Sequence, residues 1–280
     1  MGTTVVIGGG GTTGRRVAAR LAARGEAVRL ASRRSPVRFD WDDRGTWAPV
    51  LRGATSAYIA YAPDLAVPGA DAAVGDLAGL AARTGVRRLV LLSGRGEEGA
   101  RRAEAALRAA GAEWTILRCA WFAQNFSEGH LLEPLLAGEL ALPVGDVPEP
   151  FVDVDDVADV AVAALTGDGH GGRVHELTGP RALTFAGAVD EIARAAGREL
   201  RFATVPMDAF TAGLEGAGTP PDVVRLMRHL FTEVLDGRNA RPTDGVRRAI
   251  GREARDFGAF ARDAAAAGAW RAPAGRPLPA

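Results

Sequence analysis

Lysine is absent from this 280-residue chain, so all 34 of its basic residues are arginine. No P-loop lysine, Schiff-base lysine or Tyr-x-x-x-Lys dyad can be built from it. Cys119 is the single cysteine, which excludes an internal disulfide and leaves poor material for a structural metal site. The four histidines, at 130, 170, 175 and 229, fall in no zinc-like spacing. There is no Gly-x-Ser-x-Gly elbow, so neither a metal nor a serine-hydrolase centre is expected. No stretch reaches the roughly 18 uninterrupted apolar residues of a membrane span. The start lacks the charged and apolar regions of a signal peptide, so a cytoplasmic location is expected. Acidic residues also number 34, and this balance favours small-molecule partners over nucleic acid or an anionic membrane, with a homodimer left open.

The chain is organised around residues 5–16, Val-Val-Ile-Gly-Gly-Gly-Gly-Thr-Thr-Gly-Arg-Arg. Three β-branched residues running into glycines, followed at once by helical periodicity, predict a strand, a tight turn and a helix start. Such a turn lets backbone approach a pyrophosphate, whose charge the helix N-terminus holds. Two glycine registers fit. Gly9, Gly11 and Gly14 match G-x-G-x-x-G, while Gly8, Gly11 and Gly14 match the G-x-x-G-x-x-G spacing of short-chain dehydrogenases. Thr12 and Thr13 complete the cradle.

Residues 14–24 predict a helix closed by Gly25, and 27–31 a second strand, giving a βαβ unit. After that strand a dinucleotide site for NAD favours an acid. Here stand Ser32-Arg33-Arg34, suited to a 2′-phosphate, so NADP(H) is the expected cofactor with Arg33 as its mark. Asp40 is a candidate for the adenine amino group, with Phe39 or Trp41 packing nearby; a turn acid is the alternative. Strands are predicted over 54–60, 88–93 and 114–118, the last counted as the sixth, with helices over 70–84 and 97–110. Tyr61 ends one strand and Ser93 another, at the carboxyl ends where open sheets bind ligands. Ser93 places a hydroxyl beside the nicotinamide or caps the next helix.

The loop from Cys119 to Phe126 gathers Trp121, Phe122 and Asn125 into either a pocket wall for a flat substrate or ordinary core. Residues 142–150, rich in Pro and Gly, interrupt the alternation. Residues 151–165 predict a helix and 173–177 a strand. Helices follow over 184–197, 207–215, 221–236 and 255–267, with a short strand near 201–205. The reading is therefore α/β: a doubly wound parallel (Rossmann) sheet over 1–180 with a crossing insertion near 127–150. A small, mostly helical substrate-binding part covers 181–270, and 271–280 is a disordered tail.

The order Gly8-x-x-Gly11-x-x-Gly14, Ala31-Ser-Arg-Arg34, Leu91-Leu-Ser-Gly94, Glu113-Trp-Thr-Ile-Leu-Arg118, Pro150-Phe-Val-Asp-Val-Asp-Asp-Val-Ala-Asp159 and Leu177-Thr-Gly-Pro180 resembles the NmrA-like branch of the atypical short-chain dehydrogenase/reductases. Phe39-Asp-Trp-Asp42, Trp121-Phe-Ala-Gln-Asn-Phe-Ser127 and Asp256-Phe-Gly-Ala-Phe-Ala-Arg-Asp263 with Trp270 are similar to agroclavine-dehydrogenase-like proteins. The resemblance implies NADP binding and reduction of quinones, dyes or iminium ions, alongside members that only sense NADP. It puts Gly8, Gly11 and Gly14 on the pyrophosphate, Arg33 on the 2′-phosphate, and Trp121, Phe122 and Asn125 on the substrate side.

The missing Tyr-Lys dyad sorts the chemistry. An ordinary ketone becomes an alkoxide and needs a proton donor, whereas an iminium is neutralised by hydride alone and a quinone anion is delocalised. The expected function is an NADPH-dependent reductase of an iminium, quinone or activated alkene, in secondary metabolism. The alternative is a non-catalytic NADP(H)-sensing regulator. The sequence names no catalytic residue.

Overall fold

The structure is a computed structural model that describes residues 2–271. Its strands are β1 (Thr3–Ile7), β2 (Val28–Ala31), β3 (Ala54–Ile59), β4 (Arg88–Gly94), β5 (Glu113–Cys119), β6 (Glu139–Leu142), β7 (Arg173–Leu177) and β8 (Arg201–Thr204). Helices α1 (Thr12–Ala23), α2 (Trp47–Leu51), α3 (Ala70–Arg83), α4 (Glu98–Arg108) and α5 (Leu132–Ala137) are followed by α6 (Val154–Thr166) and α7 (Phe185–Ala196). The last four are α8 (Met207–Gly216), α9 (Pro221–His229), α10 (Gly245–Ile250) and α11 (Phe257–Ala266). The predicted tail lies, beyond Arg271, outside the described residues. Among the described residues no helix is long and apolar enough to cross a membrane.

The chain divides into two compact units. The first takes residues up to Ala120, Val154–Thr178 and Thr243–Ala254. It holds a six-stranded sheet in the order β2-β1-β3-β4-β5-β7, every pair parallel. The order reverses at β1, which makes the carboxyl ends of β1 and β3 the switch point where open α/β sheets take ligands. Leu89, Val90 and Leu91 of β4 are fully buried, as a central parallel strand covered on both faces requires. In α1 the buried residues Thr13, Gly14, Val17 and Leu21 form one stripe, the helical period read from sequence.

The second unit takes Trp121–Asp153, Gly179–Pro242 and the chain from Arg255. It is mostly helical, with β6 and β8 paired in parallel. Its core is aromatic: Phe126, Phe151, Phe185 and Phe257 pack ring on ring with centroids 5.1–5.9 Å apart, and the buried Trp270 donates its indole N–H to the Phe126 carbonyl at 2.7 Å.

The alternation of strands and helices is as the sequence predicts, with specific departures. The strand over 113–119 is the fifth, because between β2 and β3 there are only two isolated bridges, Ser32 to Arg38 and Asp40 to Asp43, among the described residues. β6, α5 and α10 are additional, and the helix expected over 221–236 turns into a π turn at Leu230–Val234. The division is not one boundary near 180. Segment 243–254 joins the first unit because Thr243 donates from Oγ1 to the Glu176 carbonyl at 2.6 Å and from its N–H to the Thr178 hydroxyl at 2.9 Å.

Candidate functional site

At the end of β1 the chain reverses through Gly8, whose φ of +76° is left-handed and favours glycine. Gly8 N–H donates to the Ala31 carbonyl at 3.0 Å, and Gly11 N–H donates to the Gly8 carbonyl at 2.9 Å. The turn is thereby tied to β2. A methyl group on Gly14 would lie 2.2 Å from the Gly8 oxygen, so α1 presses directly on the turn; Gly10, at its tip, has nothing within 4 Å of that position. α1 starts with Gly11 as its N-cap, without a capping side chain and without an acid in its first turn. First-turn N–H groups have no intrahelical acceptor, and with the helix dipole they attract an anion. Both glycine registers have a physical basis: Gly8 is demanded by conformation, and a methyl on Gly9 would meet Leu30 at 2.9 Å. Thr12 is half-buried and Thr13 buried. The Tyr58 hydroxyl, also buried, has no hydrogen-bond partner among the described residues. Burial raises that phenol well above its ordinary range, and Thr13 is the polar side chain approaching it.

Beyond β2 the backbone folds on Ser35, whose hydroxyl accepts from Ser32 N–H at 2.8 Å, and Phe39 N–H donates to the Ser32 carbonyl at 3.0 Å. This compact turn holds Arg33 and Arg34 exposed. Arg33 makes no hydrogen bond or ion pair among the described residues. Asp40 is engaged by its own turn: Arg38 donates to Oδ2 at 2.8 Å and Asp42 N–H to Oδ1 at 3.3 Å. The Arg38 hydrogen bond, with that backbone donor, holds the Asp40 carboxyl below its usual range. Tyr61 packs against Trp41 with ring centroids 4.7 Å apart, and Trp41 meets Phe39 edge-on at 5.0 Å. An aromatic group therefore flanks the switch point.

Ser93 does not cap α4; the N-cap is Glu97. The Ser93 hydroxyl is buried and donates to Glu104 Oε1 at 2.7 Å. Arg118 donates to both oxygens of that carboxylate, at 3.0 and 2.5 Å, and reaches Glu176 at 3.0 Å. The cause is Glu104, 1% exposed, since a buried carboxylate must collect donors. Ser93 is thus drawn into an ion network instead of standing free at the strand end.

Sequence reading passed over the two acids in the loops that follow β3 and β4. Glu97 is 8% exposed, and its Oε2 has no hydrogen-bond partner among the described residues. Burial, and then the neighbouring carboxyl of Asp64, push Glu97 up to about 9. The only sequence signal is an acid at the N-cap of α4, which looks like ordinary capping chemistry.

In the second unit, Trp121 is half-buried. Its ring lies 5.6 Å from that of Phe185 and 5.4 Å from that of Phe231, and its backbone N–H donates to Glu149 Oε1 at 3.2 Å. Phe122, half-buried, bridges to Val152. Asn125 N–H donates to the Phe122 carbonyl at 3.1 Å, and its own carbonyl accepts from Leu131 N–H at 3.2 Å. The buried Gln124 amide, which the sequence reading left out, donates to Asp153 at 2.7 Å. Asn125 therefore lies in a short 3₁₀ turn, Ala123–Phe126, that Phe122 caps, and Trp121, just before it, packs on the aromatic core. The three keep part of their surface open, which suits either expected role.

No family model matches the chain. It is 33% identical over 270 residues to YesF, an uncharacterized oxidoreductase of Bacillus subtilis, covering 92% of this chain and 93% of that protein. It is 36% identical over 275 residues to a (4-alkanoyl-5-oxo-2,5-dihydrofuran-3-yl)methyl phosphate reductase of Streptomyces griseus, covering 90% and 94%. Agroclavine dehydrogenase of Claviceps fusiformis is 29% identical over 241 residues, covering 80% and 82%. Among solved structures, triphenylmethane reductase of Citrobacter complexed with NADP(H) superposes with a TM-score of 0.74 at 17% identity, covering 94% of this chain and 100% of that one. NmrA, a negative transcriptional regulator, does so at 0.68 and 18% identity, covering 94% and 95%.

Proposed function

Because this chain belongs to the NmrA-like branch of the atypical short-chain dehydrogenase/reductases, we propose that it is an NADP(H)-dependent oxidoreductase. It delivers hydride to an electrophilic organic acceptor, an iminium, quinone or activated alkene, in secondary metabolism. One observation carries the cofactor reading: a glycine turn at the sheet's switch point runs into a helix start with no capping side chain and no acid, and the turn after β2 holds Arg33 exposed. Gly14 fits the role, because α1 approaches Gly8 more closely than a methyl group there would allow. When bound, the nicotinamide supplies hydride.

The protein's own part is to bind and orient. The first turn of α1 takes the pyrophosphate charge and Arg33 the 2′-phosphate, a charge-assisted contact. Trp121, Phe122 and Asn125, each half-buried, offer two aromatic rings and an amide, the apolar and polar groups that a substrate wall combines. Orientation of this kind is itself a large catalytic effect. A reductase is favoured over a non-catalytic NADP(H) sensor by the relatives at 33% and 36% identity, one named an oxidoreductase and the other a reductase. Balanced charge favours a small molecule over nucleic acid as the partner.

The test is titration of NADPH and NADH into wild type and Arg33→Ala, followed by NADPH oxidation with a panel of acceptors. Tight NADPH binding that weakens roughly 10- to 100-fold in the variant, with NADH unchanged, is the expected result. Failure of both cofactors to bind would overturn the reading, and binding without turnover on any acceptor would return it to the sensor.

A further inference from the structure

Hydride delivery to an iminium or a dye cation ends in a neutral product. Delivery to an activated alkene leaves an enolate, and the reaction is complete only when a carbon receives a proton. With no lysine in the chain, a Tyr-Lys dyad cannot supply it. The first unit holds another acid in a suitable place. Asp64 and Glu97 lie in the loops that leave the carboxyl ends of neighbouring parallel strands, β3 and β4, on the edge of the sheet where such folds bind ligands.

The environment of Glu97 decides its protonation. Its carboxyl packs on the Cα of Gly94, where a methyl group would lie 2.1 Å from Oε1. Asp64 is the one charged side chain acting on it among the described residues. Two nearby arginines are drawn to other acids: Arg95 lies 3.6 Å from Glu176, and Arg102 lies 3.8 Å from Asp71. As a carboxylate, Glu97 would be a buried anion beside a second anion, with Oε2 lacking any donor. As a carboxylic acid it shares its proton with the Asp64 carboxyl, and no second buried anion is formed. Asp64 is fixed by the Ala66 N–H, which donates to Oδ1 at 2.7 Å, and it is only half-buried. The inner acid holds the proton and the outer one faces solvent.

Resting on the reductase reading, we propose that the Glu97–Asp64 carboxyl pair stores and delivers the proton that completes reduction of an activated alkene, which makes that class the substrate. In the step, hydride forms the new C–H bond at the β-carbon while NADPH is oxidised to NADP⁺, and the π pair moves to give the enolate. The pair's proton then forms the C–H bond at the α-carbon. The pair is left with both carboxylates ionised and recovers its proton from water through Asp64.

The experiment compares wild type, Glu97→Gln and Asp64→Asn on 2-cyclohexenone and on a cationic triphenylmethane dye, which needs hydride alone. Both variants are expected to lose about 100-fold or more in kcat on the enone, the usual scale of general-acid catalysis, and to keep dye reduction and NADPH affinity. In wild type, kcat on the enone falls on the alkaline side while that on the dye stays level. Infrared difference spectra at pH 7 are expected to show a protonated-carboxyl band that Glu97→Gln removes. Equal losses on dye and enone, no loss on the enone, or absence of that band would overturn the proton-store role while leaving the reductase reading standing. If wild type oxidises NADPH with neither acceptor, nor with a quinone, the reductase reading falls and the donor role falls with it.

Discussion

Gly14 and Gly10 sit within one turn of each other and answer to different constraints. A methyl on Gly14 would occupy space 2.2 Å from the Gly8 carbonyl oxygen, whereas at Gly10 it meets nothing within 4 Å. Gly14→Ala must therefore push α1 off the turn, an overpacking cost of about 1–3 kcal/mol, and thermal unfolding should show a Tm several degrees lower. Gly10→Ala should leave Tm unchanged, yet weaken NADPH in a titration if phosphate oxygens approach the tip of the turn. Glu97 works in the opposite sense for stability. Its folded value, about 9, lies above the unfolded one, so its contribution is fully present below about 4.5 and is lost as pH rises toward 9. Glu97→Gln, neutral at every pH, should therefore raise Tm at pH 8 and have little effect at pH 4. Unchanged Tm at pH 8 would mean that the carboxyl ionises freely.

At the scale of elements, the sheet is cross-linked by charge where its strands leave the apolar core. Arg118 of β5 holds Glu104 of α4 at 2.5 Å and Glu176 of β7 at 3.0 Å. Removing Arg118 leaves the buried Glu104 with only the neutral Ser93 hydroxyl at 2.7 Å and Arg108 at 3.4 Å. Loss of one partner of a buried pair costs about 3–5 kcal/mol, so denaturant melts of Arg118→Met should show a loss of that order. Arg118→Met with Glu104→Gln should recover much of it, since no buried charge remains. In β7, His175 is buried beside His170, its Nε2 lying 3.1 Å from Nδ1 of that ring. Burial first, then His170, Arg173 and Arg248, lower His175 to about 4. A histidine held neutral contributes stability above its unfolded value near 6.5 and loses it as pH falls toward 4. The slope of Tm against pH over that window should flatten in His175→Gln.

At the scale of the molecule, the two units are interleaved along the chain, since the first recovers 154–178 and 243–254 after the second has begun. A chain cut at Pro180 would keep the glycine turn and all six strands of the large sheet but lose the segment that covers β7. Thr243 would no longer bond Glu176 and Thr178, and the second unit would be left with 121–153 and little else. Such a fragment should fail to give a cooperative unfolding transition by circular dichroism, even though a reading of strand alternation alone makes it a complete nucleotide-binding domain.

What the sequence determined alone is whatever acts over a few residues. Period two against period 3.6 marked strands and helices, and a glycine run after β-branched residues marked the cradle. Arginines in place of an acid after β2 pointed to the cofactor. Each is a local demand of backbone geometry or charge. Only the tertiary structure decided which distant groups meet. Ser93 sits at a strand end that looks open, yet the buried Glu104 claims its hydroxyl. The acid at the start of α4 looks like a cap, yet burial, and then Asp64 from the loop after the neighbouring strand, push its carboxyl up. Segment 243–254 follows helices of the second unit in sequence, yet the open edge of β7 draws it into the first. Pairing across a fold depends on which backbone groups and charges burial leaves without a partner, and no local period records that.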